Sequence, residues 1–385
     1  MLFKARLRLG FAWAGFSAFF FLALVGSALA QTDLSAGAQA GWNREWEKVL
    51  KLARQEGKVV AGIPARPELR KQLEAIFKPR FGIDAELYPS RGPENAKRIA
   101  AEFKAGVRYF DVFLGGSGTY ESLVHDGMIG PFEPFMILPE VRDSKNWWGG
   151  HIWEDNLKTN RYLYSFIADA GTGSLWYNPN LARAEELRSF DDFLNPKWKG
   201  KIGLLDPRTP GAGQSLWSFM WDIRGEEYLK RLVAQDLFVS RNQRQIADAL
   251  AKGKLALTIG ISFYTFEPFI KAALPVKALP TPREGLPTSN GSGVIGVVKD
   301  PPHPNAAKVF VNWFLGKEGQ ESYGRALGQA TRRLDVDTKW IAETGREAAK
   351  DAMSVEEYHR LRNHLEDKYL SVRLPSAKFA EQILK

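Results

Sequence analysis

The sequence predicts an α/β protein of two lobes that are joined by extended segments and separated by a cleft. Apolar runs of strand character alternate with amphipathic helical patterns between residues 58 and 127, which is typical of a sheet with helices on its faces. The same alternation restarts after residue 180. The length of 385 residues is sufficient for two domains of this kind.

The first thirty residues predict a secretory signal peptide. Three basic residues and no acid precede a long apolar run that ends in A-L-A at 28–30. We therefore expect cleavage after Ala30 and a mature protein in the periplasm. An uncleaved membrane anchor is the alternative, because the apolar run is long enough to span a bilayer.

The composition is that of a globular protein with a basic balance. The chain contains no cysteine, which excludes disulfides and thiolate metal sites. Loss of the leader leaves 50 Lys and Arg against 44 Asp and Glu, so the formal net charge falls from +9 to +6. Because the charges are interspersed and the protein is exported, we expect no nucleic-acid partner. The positive charge then indicates either an acidic ligand or only a solvated basic surface.

A helix over 42–56 and three strand–helix units come first. Strands are expected over 58–65, 83–90 and 109–116, and helices over 66–82, 94–106 and 119–127. Ligands of parallel sheets bind beyond the carboxyl ends of the strands. Those ends lie at 65–66, 90–92 and 115–117.

Two further strands are expected at 161–168 and 173–179, and a second α/β unit comes after them. Its strands are expected over 202–207 and 255–260, and its helices from the loop at 207–213 to about 235, and over 242–254 and 262–274. Further strands are expected over 276–282 and 292–304. Asn305 is expected to cap a long amphipathic helix, and the tail from Leu334 is charged and helical. Glycines at 211 and 213, where a helix begins, leave backbone N–H groups accessible to an anion. A plain strand-to-helix turn is the alternative.

Catalytic motifs are absent from the sequence. It contains no G-x-S-x-G, H-E-x-x-H or P-loop pattern, and its five histidines are scattered. We therefore expect a binding protein without enzymatic activity, cofactor or metal.

Four stretches occur in the order found in a known family: YFDVFLGGSGTYESLVHDG, SLWYNPNL…SFDDFLNPKWKGKIGLLDPRTPGAG, ALAKGKLALTIG and GSGVIGVVKDPPHPNAAKVFVNWFLGKEGQESYG. The chain resembles the type 2 periplasmic solute-binding proteins of ABC importers over about residues 55–335. It looks most like the branch of ferric-iron, aminoethylphosphonate, thiamine and polyamine binders. The resemblance implies two lobes with a hinge, a solute in the cleft, and delivery to an ABC permease in the inner membrane.

The resemblance also implies discontinuous lobes. The first lobe is expected to comprise 31–170 and 277–325, and the second 171–276, with 326–385 as a helical tail packed on the second lobe. We expect a monomer whose partners are a small-molecule solute and the permease.

Candidate ligand-binding residues follow from the loops that match the family. The candidates in the second lobe are Thr209, Gly211, Ala212, Gly213, Gln214, Ser262 and Tyr264. The candidates in the first lobe are Arg66, Ser90, Arg91, Gly116 and Ser117.

These candidates predict a small anionic organic solute, such as a phosphonate, a sugar phosphate or a carboxylate. Two arginines, a glycine-lined helix start and a net positive charge support this prediction. Ferric binders carry adjacent tyrosines after the strand at 255–260, whereas here Tyr264 is preceded by Phe263. A ferric-iron receptor is therefore the alternative. A secreted enzyme or a membrane-anchored sensory partner on the same scaffold is an alternative of another class.

Overall fold

The computed structural model describes residues 41–154, 161–171, 174–344, 347–361 and 368–384. The signal peptide predicted over 1–30 lies outside these residues. The chain forms two compact units, Met1–Lys48 and Val49–Lys385. Residues 41–48 are helical in the first unit, residues 49–56 are helical in the second, and all elements named below belong to the second.

The first sheet contains seven strands of the described residues. They are β1 (Lys58–Pro64), β2 (Asp84–Ser90), β3 (Val112–Gly115), β4 (Ile129–Gly130), β5 (Ile152–Trp153), β6 (Tyr164–Ser165) and β12 (Val294–Val298). The spatial order is β2-β1-β3-β12-β6-β5, and β4 also pairs with β12. β1 is parallel to β2 and β3, but β12 is antiparallel to β3. The sheet is mixed because the chain returns to it from the second sheet and enters in the opposite direction.

Helices cover the first sheet. They are α1 (Pro67–Phe81), α2 (Gly92–Lys104), α3 (Ser117–His125), α4 (Pro139–Arg142), α8 (Pro304–Leu315) and α9 (Lys317–Leu327). In α1 the periodicity of apolar residues predicts the buried face: Leu69, Leu73 and Phe77 recur every four residues and are fully buried. Each such side chain contributes about 1.5–3 kcal/mol by burial. α1 ends at Gly82, whose φ of 71° suits a left-handed C-cap.

The second sheet lies in the middle of the sequence. Its strands are β7 (Leu175–Tyr177), β8 (Ile202–Leu205), β9 (Phe238–Ser240), β10 (Leu257–Ile259) and β11 (Lys277–Ala278), in the spatial order β11-β7-β10-β8-β9. Its helices are α5 (Ala212–Val233), α6 (Gln243–Ala251) and α7 (Phe263–Lys271). Trp176 and Trp217 are fully buried in its core. We call each sheet with its helices the first and the second lobe.

Two crossings connect the two sheets, from β6 to β7 and from β11 to β12. Asp169 of one crossing and Ser289 of the other form an antiparallel bridge, in which the Asp169 N–H donates to the Ser289 carbonyl at 2.7 Å. The predicted α/β fold of two lobes with a hinge and a cleft is confirmed.

The segment after α9 contacts both lobes. Thr331 forms a bridge with Ile167 of the first lobe, whereas the Trp217 indole in α5 donates to the Ser376 carbonyl at 2.9 Å. The packing of 326–385 on the second lobe stays a prediction. The exact lobe boundaries stay a prediction. The helices of this segment are α10 (Ala349–Ala352), α11 (Val355–Arg360) and α12 (Leu374–Ile383), preceded by a π-helical turn (Tyr369–Arg373).

Short 3₁₀ turns occupy several connections: Glu133–Phe135, Ser144–Asn146, Ala184–Glu186, Phe190–Leu194, Pro196–Trp198 and Lys339–Thr344.

The predicted cap of α8 is wrong. α8 begins at Pro304 after His303, and the Asn305 side chain donates to the Glu56 carboxylate at 2.6 Å. No helix in the described part of the chain combines the length and the apolar character needed to cross a membrane.

Candidate functional site

A cavity of about 90 Å³ lies between the two lobes beside the crossings. The second lobe lines it with the starts of two helices, including Ala212 of α5 and Tyr264 of α7. The crossings contribute Asp169 and Ser289, and the end of α9 leads to Gln329 on the first-lobe side. A solute in this cavity would therefore contact both lobes.

The loop before α5 is held by a buried carboxylate. Asp206 follows β8 and is almost fully buried; Arg208 Nε and Nη2 donate to it at 2.8 and 2.9 Å, and Arg241 Nε at 3.0 Å. Burial alone would raise the pKa of Asp206, but the hydrogen bonds from the two arginines outweigh it and lower the pKa. The ionised carboxylate thus fixes the loop that places the first turn of α5 at the cavity.

Glycine is favoured at positions 211 and 213 for different reasons. Gly211 has a φ of 146°, which favours glycine. Gly213 is buried where a Cβ would lie 2.3 Å from the Leu205 carbonyl oxygen. The close approach of α5 to β8 therefore requires glycine at 213, a packing reason that is independent of any ligand.

Gln243, at the first position of α6, organises the other second-lobe helix start. Its side-chain oxygen accepts from the Ser262 N–H and from the Thr265 hydroxyl, both at 3.0 Å. Its side-chain nitrogen donates to the Tyr264 hydroxyl at 3.3 Å. Gln243 was not among the sequence candidates, because nothing in its local pattern indicates contact with residues about 20 positions away.

The first-lobe side is built around a tight turn at Gly291. Its N–H donates to the Ser289 hydroxyl at 2.8 Å, and its φ of 53° lies in the left-handed region. The Gln329 amide packs over this turn, because a Cβ at Gly291 would lie 2.3 Å from Gln329 Nε2. Gln329 also accepts from the Ser292 N–H at 3.2 Å. These residues were not among the sequence candidates.

Three of the predicted residues line the cavity: Ala212, Ser262 and Tyr264. Gly211 and Gly213 flank Ala212 in the chain. All of them belong to the second lobe.

Thr209 and Gln214 point their polar groups elsewhere. The Thr209 hydroxyl donates to the Asp206 carbonyl at 3.2 Å. The Gln214 side chain accepts from Arg373 Nη2 at 2.8 Å. Their predicted contact with a ligand stays a prediction.

The first-lobe candidates contact protein partners. Arg66 pairs with Glu267 of α7, and its Nη1 donates to the Tyr264 carbonyl at 3.4 Å. The Arg91 side chain is 72% exposed, and its Nε donates to Glu94 at 2.9 Å. Neither arginine lines the cavity.

The remaining first-lobe candidates lie at strand ends. The Ser90 hydroxyl donates to the Asn95 side chain at 2.9 Å. Gly116 approaches the cavity turn closely, since a Cβ there would lie 3.1 Å from the Gly291 carbonyl oxygen. Ser117 is the first residue of α3.

The charge of the cavity lining differs from the expectation for an anion site. Asp169 brings a carboxylate, and the lining formed by the described residues includes no Lys, Arg or His. Likewise, the described residues bring together no group of three or more His, Asp or Glu suited to a metal ion.

Comparison with known proteins identifies the family. Residues 66–321, about two thirds of the chain, match the family described as bacterial extracellular solute-binding protein. The chain belongs to this family. Its members are binding proteins that lie outside the cytoplasm. They are the substrate-binding components that deliver small solutes to ABC permeases.

One relative and two solved structures are similar to this chain over about two thirds of its length or more. Iron uptake protein A1 of Synechocystis sp. is 24% identical over 267 residues, which are 65% of this chain and 68% of the relative. The structure of AfuA from Actinobacillus pleuropneumoniae with fructose-6-phosphate bound has a TM-score of 0.64 at 16% identity and covers 84% of this chain and 99% of AfuA. Iron-bound HitA from Pseudomonas aeruginosa has a TM-score of 0.62 at 16% identity and covers 85% of this chain and 99% of HitA. At these identities the two structures show the fold of this chain.

Proposed function

We propose that this solute-binding protein captures a small polar solute in the cavity between its lobes and delivers it unaltered to an inner-membrane ABC permease. The observation that carries the proposal is the cavity, whose lining comes from both lobes and from the crossings. A solute that touches both lobes binds the closed arrangement more tightly than the open one, and therefore shifts the population toward closure.

We propose further that the solute carries an anionic group at the start of α5. Ala212 and Ser215 line the cavity in the first turn of α5, whose first helical segment runs to a kink at Gly225. The first N–H groups of a helix have no intrahelical acceptor and lie at the positive end of its dipole. Because Arg66 and Arg91 contact glutamates instead, the helix start and nearby serine hydroxyls, rather than an arginine, would bind the anion.

A solute with a cationic group is the second candidate, and Asp169 is the observation that favours it. A carboxylate on the wall of a partly enclosed cavity attracts a cation more strongly than it would in bulk water. Ferric iron is a special case of this candidate. The Tyr264 phenol and the Asp169 carboxylate are the hard oxygen donors that the described lining would offer it.

A thermal-unfolding screen separates these candidates. The full chain, expressed with its leader and purified without denaturation, is heated with methylphosphonate, glucose 6-phosphate, putrescine or ferric citrate. A compound present at a hundredfold excess over its Kd stabilises the fold by about 2.7 kcal/mol. A shift with either of the first two supports the anion proposal, and a shift with putrescine alone supports the cationic one. Iron binding should give visible colour that is lost in Tyr264→Phe.

A matched pair of variants ties binding to the cavity. Ala212→Leu fills the start of α5 and should abolish the thermal shift, whereas Ala101→Leu adds the same volume on an exposed helix position and should preserve it. Mass spectrometry of molecules released on denaturation detects a solute that copurifies. A protein that shows no shift and releases no small molecule contradicts the proposal.

A further inference from the structure

Arg66 and Glu267 form an ion pair between the two lobes. Arg66 lies between β1 and α1 in the first lobe, Glu267 lies in α7 of the second, and Arg66 Nη2 contacts Glu267 Oε2. Arg66 Nη1 also donates to the Tyr264 carbonyl at 3.4 Å. The two side chains are only 17% and 20% exposed. Arg66 therefore contacts the helix that carries Tyr264 into the cavity wall.

This pair differs from other ion pairs of the molecule. Arg70 and Glu74 pair over one turn of α1 and are more exposed. Lys271 also pairs with Glu267, at 2.8 Å, but from the same helix. Opening the cleft would leave these two contacts intact, whereas it would separate Arg66 from Glu267.

We propose that Arg66 and Glu267 form an interlobe latch that favours the closed arrangement before solute binds and holds Tyr264 at the cavity. The effect on solute binding rests on the function proposed above, whereas the effect on closure does not. Arg66 acts here as a positioning residue, because it contacts α7 and does not line the cavity.

The energetic argument follows from burial. A pair shielded from solvent interacts more strongly than an exposed one, and removing one partner leaves the other charge poorly solvated in the closed form. The apparent affinity for solute equals the intrinsic affinity multiplied by the closed fraction. Loss of the latch therefore weakens binding without removing a ligand contact.

The test compares charge reversals with their combination. The chain has no cysteine, so spin labels can be placed specifically at Val107→Cys in the first lobe and Ile223→Cys in the second, both exposed positions. The distance between the labels is measured without solute. Arg66→Glu and Glu267→Arg should each lower the closed-to-open ratio about tenfold. The double variant should lower it by clearly less than the product of the two single effects, as expected for directly interacting residues. Lys271 and the Tyr264 carbonyl, which favour the original charges, oppose full rescue.

Two controls separate the latch from general damage. Lys271→Met removes the other partner of Glu267 within the second lobe and should leave the ratio within about twofold, as for an exposed pair. The double reversal Arg70→Glu with Glu74→Arg, in α1, should behave likewise. Circular dichroism checks folding, and Arg66→Met replaces any reversal that does not fold.

The outcomes distinguish this proposal from the proposed function. Unchanged label distances in Arg66→Glu or Arg66→Met and in Glu267→Arg overturn the latch. A double variant whose loss equals the product of the two single losses also overturns it, because the effects of directly interacting residues should not be independent. If the distances change as expected while methylphosphonate, glucose 6-phosphate, putrescine and ferric citrate all fail to bind, the latch stands and the proposed function loses support.

Discussion

The two walls of the cavity are built in different ways. The second-lobe wall comes from two strand-to-helix junctions, where Ala212 follows β8 and Ser262 follows β10 by a few residues. The opposite wall gathers Asp169, Ser289 and Gln329 from three segments that are distant in sequence. Local packing fixes the first wall, whereas pairing between the crossings fixes the second. Substitutions in the second-lobe wall should therefore act mainly on packing and stability, and those opposite mainly on the arrangement of the lobes.

The largest effect is expected at Gly213. In Gly213→Ala the added Cβ would lie 2.3 Å from the Leu205 carbonyl oxygen, a backbone atom that cannot swing away. We expect the free energy of unfolding to fall by about 3 kcal/mol, as in an overpacked core. Urea denaturation measures this change.

Gly127→Ala is the matched control for this prediction. Gly127 has a φ of 67° but has nothing within 4 Å of an added Cβ, so only backbone strain should appear there, about 1–2 kcal/mol. Equal losses at the two positions would contradict the steric explanation of Gly213.

A smaller effect is expected at Gln243. Gln243→Leu leaves the Ser262 N–H, the Thr265 hydroxyl and the Tyr264 hydroxyl without their partner, and should lower stability by about 1–2 kcal/mol. Gln243→Glu keeps the acceptor and loses the donor to Tyr264, so most of the stability should remain. Thermal unfolding of the two variants tests the difference. If Glu destabilises as much as Leu, the accepted bonds do not organise this wall.

The contrast between the walls also explains what the sequence could predict. Ala212, Ser262 and Tyr264 were predicted because they lie in loops that match the family, and the periodicity of the neighbouring strands and helices shows where those loops lie. Asp169 and Ser289 reach the cavity through a bridge between segments 120 residues apart, which no local pattern indicates.

The protein partner of Arg66 and the misplaced helix cap have the same origin. Arg66 stands at a strand end, as predicted, yet it pairs with Glu267, about 200 residues away in the sequence. Asn305 has the side chain of a helix cap, but the Glu56 carboxylate binds it and the cap lies two residues earlier, at His303. Residue type and spacing predicted the elements; the choice among distant partners depended on packing.

Closure should depend on pH through Glu267, which lies at the boundary between the lobes. Burial would raise the pKa of Glu267, but hydrogen bonds from Lys271 and Arg66 outweigh it and lower the pKa. The latch should therefore be complete above the unfolded value of about 4.3 and weaken as pH falls through the lowered value. The closed-to-open ratio, measured with the same labels, should stay constant from about pH 8 to 5 and fall only in stronger acid.

Glu267→Gln is the control for this pH profile. Without a titrating group at this position, the ratio should start lower and lose its acid-dependent fall. A profile that keeps the same midpoint in this variant would assign the titration to another carboxylate.

The smallest effect is expected at Arg91. Its side chain is 72% exposed and pairs with Glu94 on the same helix start, and exposed pairs of this kind contribute about 0–1 kcal/mol. Arg91→Ala should therefore change the free energy of unfolding by no more than about 1 kcal/mol and the solute affinity by less than about twofold. The charge-matched control Arg70→Ala on α1 should behave in the same way. Calorimetric titration with the compound that shifts unfolding in the screen measures the affinity. A tenfold loss confined to Arg91→Ala would mean that the strand ends of the first lobe move to the solute on binding. In that case the first-lobe wall would resemble the second-lobe wall, with its ligand contacts at strand-to-helix junctions and the crossings acting only as the hinge.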